Sequence, residues 1–143
     1  MPNGSIIMQL NLYLQETRQI TRYQLDILDQ VNQLFYKNGQ LSPLEMNGAL
    51  HALQILIENA IGKGKHWLKL NERPIPTSAY TVFQDLAQLK IISHESLDDW
   101  NAIIGLRNRI VHDYLNIDPD YILSILEQKK YLFVSDFLNQ SFE

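Results

Sequence analysis

What most limits the fold of this chain is where it can be interrupted. Pro43, Pro74, Pro76 and Pro119 all fall at breaks, and between the breaks apolar residues recur at intervals of three and four, the spacing that gives a helix one buried face. Leu10, Tyr13, Thr17, Ile20, Ile27, Val31 and Leu34 predict a first helix from about Ile6 to Tyr36, stopped by Asn38-Gly39. Ser42-Pro43-Leu44-Glu45 then supplies a capping hydroxyl, a proline at the first helical position and a carboxylate three residues on, the capping-box arrangement. The helix it opens should run to about Leu70. Arg73-Pro74-Ile75-Pro76 cannot stay helical, so Thr77 or Ser78 caps a shorter helix ending near Ile91. Ser96, with Asp99 three residues later, opens a fourth, and Asp118-Pro119 caps a last one reaching about Phe137. These segments predict an all-α fold, an antiparallel helical bundle of about five helices in a single domain spanning residues 1–143.

Composition removes several classes of function. With 45% apolar and 20% charged residues the chain reads as globular. The absence of cysteine excludes disulfides and thiolate metal sites and permits a reducing cytoplasm, the expected location. No basic segment followed by an apolar stretch opens the sequence, and no run approaches the roughly 20 apolar residues of a membrane span, so no signal peptide and no membrane association are expected. A net charge of −4 argues against nucleic-acid binding by overall charge, because phosphate contacts favour basic surfaces. Any RNA site has to be local.

The most informative stretch is RNRIVHDY, Arg107 to Tyr114, in the fourth helix. At about 100° per residue, Leu97, Trp100, Ile103, Ile104, Val111 and Leu115 form one apolar stripe. Arg107 lies within it, Asn108 and His112 sit a turn apart on its shoulder, and Asp98, Asp99, Arg109 and Asp113 point away. Arg109 and Asp113, four residues apart, read as an ordinary surface ion pair. Arg107 needs another account, since a guanidinium among apolar neighbours is costly unless partners satisfy it. One account is a buried ion pair with a carboxylate such as Glu58. The other is a cleft or second subunit where Arg107 meets an anion, for which bidentate phosphate geometry is well suited. His51, His66 and His94 read as surface or structural groups; His112 differs in its company.

An arginine, an amide and an imidazole together can cut RNA without metal. The ribose 2′-hydroxyl attacks the adjacent phosphodiester when a base takes its proton, an acid protonates the leaving 5′-oxygen, and a cation stabilises the charge on phosphorus. Histidine titrates near enough to neutrality to serve in either proton role. Because one histidine cannot readily do both jobs at once, a symmetric homodimer that brings two copies together is attractive. No His/Asp/Glu grouping has metal-ligand spacing, so neither metal nor cofactor is expected.

Arg107-Asn108, three residues, His112, one residue and Tyr114 resemble the R-x4-H-x-Y signature of HepT-like toxins in the HEPN superfamily. The resemblance extends over essentially the whole chain, including helix content and motif position. It implies an RNase toxin of a prokaryotic toxin–antitoxin pair, acting as a homodimer whose motif helices line a shared cleft. Arg107 and His112 match the catalytic residues and Asn108 the polar residue beside the arginine. Tyr114 matches the tyrosine to which an MNT-type nucleotidyltransferase antitoxin transfers AMP from ATP.

The end of the second helix, GKGKHWLKLNERP, offers an RNA footprint. Lys65, Lys69 and Arg73 are spaced by four, with Lys63 and His66 nearby, so an acidic chain still presents a local basic strip. A solvated face and a strand-binding face look alike at this level. Trp67 could stack on a base, but beside Leu68 and Leu70 it fits the core. Gly62 and Gly64 lack the spacing of a phosphate loop. A reading of a different class stays open throughout: a catalytically idle helical module in which Arg107 and His112 hold a nucleotide or staple a dimer, within a nucleotidyltransferase complex.

Overall fold

A computed structural model describes residues 4–142 of the chain. Six α-helices form: α1 (Gly4–Asn38), α2 (Pro43–Leu70), α3 (Ala79–Gln88), α4 (Leu97–Asp113), α5 (Pro119–Glu127) and α6 (Leu132–Asn139). Short 3-10 turns at His94–Ser96 and Tyr114–Asn116 flank α4, and no strand occurs among the described residues. No helix of the described residues is long and apolar enough to cross a membrane.

Helix starts follow the caps unevenly. At α2 both halves of the capping box form: Glu45 N donates to Ser42 Oγ at 3.1 Å, and Ser42 N to Glu45 Oε1 at 2.8 Å. Asp118 Oδ1 accepts from Asp120 N at 3.0 Å and opens α5. Ser96, the expected cap of α4, turns instead to the Ser93 carbonyl at 2.7 Å, because a 3-10 turn already leads into the helix. The single last helix divides into α5 and α6. Lys129 takes φ +51°, and Lys129 N and Lys130 N close on the carbonyls of Leu126 and Ile125, a Schellman ending made without glycine. Glu72 (φ 56°) and Lys90 (φ 62°) end α2 and α3 in the same way. These endings carry no glycine, which is why the last was invisible in the sequence.

All six helices feed one apolar cluster, and α2, which packs against α1, α3, α4 and α6, runs through its middle. Trp100 organises the centre, with its ring stacked on Phe83 at 4.1 Å and edge-on to Phe133 and Phe137 at 4.9 and 5.1 Å. Gly64 is a packing device: a Cβ there would stand 2.9 Å from Val82 Cγ1 and 3.1 Å from Leu86 Cδ1, so α3 can lie this close only against a bare backbone.

Lys63 overturns its expected place beside the basic strip. It is fully buried, and its Nζ donates to the carbonyls of Phe137 (2.7 Å), Leu138 (3.1 Å) and Gln140. The faces of Trp67, Phe137 and Phe142 surround it at 5.3 to 5.4 Å. Arg18 completes the arrangement by donating from Nε (3.2 Å) and Nη2 (2.7 Å) to the Asn139 carbonyl. Two cations thus satisfy the carbonyl end of α6, where the helix dipole favours positive charge. Burial, and secondarily the Arg18 charge, lowers the Lys63 pKa to about 8.

Candidate active site

The motif occupies the last two turns of α4 and the 3-10 turn after it. The buried face of α4 is Trp100, Ile103, Ile104, Leu106 and Ile110, which lean on α2 and α3. The predicted stripe does not continue as drawn: Val111 is 43% and Leu115 82% exposed. Helical direction is only half of burial, and at this end of α4 nothing among the described residues covers the side those residues face.

Arg107 sits where cover gives way to solvent and is half-buried. Its Nε is shut off from water with no acceptor, and no carboxylate of the described residues pairs with the guanidinium. Glu58, its candidate counter-charge, instead accepts a hydrogen bond from Gln54 Nε2 at 3.1 Å. Asn108 is half-buried and His112, one turn on, exposed; neither side chain has a hydrogen-bond partner among the described residues.

Tyr114, 54% exposed, begins the turn. The expected Arg109–Asp113 pair is replaced by a bridge through Asn116: Asn116 Nδ2 donates to Asp113 Oδ1 at 2.6 Å, and Arg109 Nη2 to the Asn116 carbonyl at 3.3 Å. These bonds pin the segment that presents Tyr114. Asn116 was missed in the sequence, where no motif marked it as a partner of Asp113. Tyr114 borders a cleft of about 230 Å³ between the start of α2 and the start of α5.

The basic strip is looser than its spacing implied. Lys65 is half-buried and Lys69 exposed on α2, whereas the exposed Arg73 lies past the helix end, beyond the left-handed Glu72. Lys63 points into the core, and Trp67, 4% exposed, packs against Phe137 and Phe142. Lys69 and His66 line a groove of about 470 Å³ with Tyr13, whose ring lies 4.2 Å from that of His66. Partial burial, and then the Lys69 charge, lowers the His66 pKa.

One end of α4 therefore gathers a cation with a spare donor, an amide, an open imidazole and a phenol, a set suited to an anionic ligand with an ionisable hydroxyl. An all-α bundle carries this set at that end of its fourth helix. Residues 13–140 match the model of the ribonuclease HepT-like family, and the chain belongs to that family. The mRNA nuclease HepT of Shewanella oneidensis strain MR-1 is 31% identical over 75 residues, 52% of this chain and 56% of that one. The chain thus matches little more than half the length of that relative. Two solved structures share the fold with a TM-score of 0.75: a toxin–antitoxin with AMP-PNP, at 20% identity over 88% of this chain and 97% of that one, and the tri-AMPylated Shewanella oneidensis HEPN toxin in complex with MNT antitoxin, at 21% identity over 88% and 96%.

Proposed function

We propose that this protein is the toxin of a toxin–antitoxin pair, a metal-independent endoribonuclease acting as a homodimer and silenced by AMP transfer to Tyr114 from an MNT-type nucleotidyltransferase antitoxin. The observation that carries the reading is Arg107: a half-buried guanidinium with an unpaired Nε and no carboxylate partner, five residues before the open imidazole of His112 on the same helix. A guanidinium held this way is poised for an anion, and family membership supports a phosphodiester as that anion.

In this reading His112 takes the proton of a ribose 2′-hydroxyl, whose oxygen attacks phosphorus. The bond to the 5′-oxygen breaks, and the His112 of a second copy supplies the proton that oxygen needs. Arg107 stabilises the equatorial charge that develops, and Asn108 orients the phosphate. The exposed apolar pair Val111 and Leu115 supports burial of this end of α4 in a homodimer. Lys65, Lys69 and Arg73 guide the RNA backbone by charge. AMP on Tyr114 brings bulk and negative charge beside the same cleft, so the substrate is repelled and blocked. The relatives whose names record an mRNA nuclease, AMPylation and an MNT antitoxin support the assignment.

Cleavage of RNA in EDTA tests it. The expected products carry 2′,3′-cyclic phosphate and 5′-hydroxyl ends, and His112→Ala folds without cutting. Equal behaviour of wild type and His112→Ala would leave the helical binding module as the reading.

A further inference from the structure

The cleft beside Tyr114 has a composition that backbone packing does not require. Its walls are apolar, formed by Met46 and Leu50 of α2, by Ile117, and by Ile122 of α5. Its one neutral polar side chain is Asn47, exposed, with no hydrogen-bond partner among the described residues. Apart from the Tyr114 phenol, no ionisable side chain of the described residues lines it. Such a cleft rejects a phosphate and accepts a flat neutral ring. At about 230 Å³ it has room for a single ring system.

We propose that this cleft seats the adenine ring of the AMP group joined to Tyr114, so that modification locks onto the toxin's own surface. The proposal rests on the AMP-transfer reading above. In the transfer step the Tyr114 phenol oxygen bonds to the α-phosphorus of ATP, the bond from that phosphorus to the bridging oxygen breaks, pyrophosphate leaves with the electron pair, and the phenol proton passes to solvent. The adenine is then tethered at the rim of the cleft. The Asn47 amide carries a donor and an acceptor side by side, the pair that reads the N6 and N7 edge of adenine. The Met46 thioether suits the ring face, and the leucine and isoleucine walls exclude water from it. With the base anchored, the ribose and phosphate stay beside His112, two residues before Tyr114, instead of swinging free. Occlusion then persists after the antitoxin has left.

The test compares full-length wild type, Asn47→Ala and Met46→Arg, each modified by the partner nucleotidyltransferase with ATP and verified by mass. Release of AMP by an added phosphodiesterase is then timed. Expected are equal mass gains on all three and a thermal midpoint raised by modification only in wild type. Release should be about five- to tenfold faster from both variants, the loss of one hydrogen bond or of ring contact in a partly buried site. Melting of the unmodified proteins checks that the variants fold. Equal release rates from three equally modified proteins overturn the seated ring while leaving AMP transfer intact. No mass gain on wild type from an active partner removes the AMP-transfer reading and this proposal together.

Discussion

Lys63 and Arg107 are both cations placed among apolar side chains, and they end up in opposite states. Lys63 is fully buried with its donors spent on three carbonyls and its charge surrounded by three rings. Arg107 is only half-buried yet keeps an unpaired Nε. The first is a structural cation, whose neighbours form a complete answer to its charge. The second leaves a donor over, and leftover capacity in a half-closed site is what a substrate anion can use. Depth of burial alone would have ranked the two the wrong way round.

The contrast is sharpest in activity. Arg107→Ala should lower cleavage about a hundred- to a thousandfold, the range for removing one donor to a developing oxyanion, while shifting stability by no more than about 0.5 kcal/mol, since no intramolecular bond is lost. A rate assay paired with a denaturant melt reads both, and a large stability loss with little change in rate would reverse the assignment. Lys63→Met should do the opposite, lowering stability by about 2–4 kcal/mol as the α6 carbonyls lose a buried donor, with cleavage by the folded fraction unchanged.

Smaller effects refine the picture. The Lys63 pKa falls in the fold from 10.5 to about 8, so between those pH values the unfolded chain holds a proton that the folded chain has released. Stability from this group rises with pH across that window, and the margin of wild type over Lys63→Met should widen there in pH-dependent melts. A shrinking margin would mean that the carbonyls hold the proton more firmly than burial expels it. Lys69→Gln should weaken RNA binding about two- to fivefold and reduce the slope of log affinity against log salt by about one. An unchanged slope would leave the strip as a solvated face.

Much of the bundle was readable because local chemistry decided it. The Ser42–Glu45 box placed the start of α2, and α2 ends at Leu70 as its apolar period required. The break at Gln128–Tyr131 was not readable, because Lys129 does there what glycine normally announces. At the site, spacing placed Arg107, Asn108 and His112 on the fourth helix, where they lie. The fate of individual side chains depended on what other helices reach: Val111 lost its cover because no neighbour among the described residues extends that far, and Lys63 found the end of α6, 74 residues away in sequence.

The helix endings at Glu72, Lys90 and Lys129 have a practical consequence. Each holds a side chain in a backbone shape that L-residues adopt at about 1 kcal/mol or more. All three corners lie outside the Arg107–Tyr114 segment. Glycine at these positions would relax the turns one by one, so this bundle can be hardened against heat without touching the Arg107–Tyr114 segment.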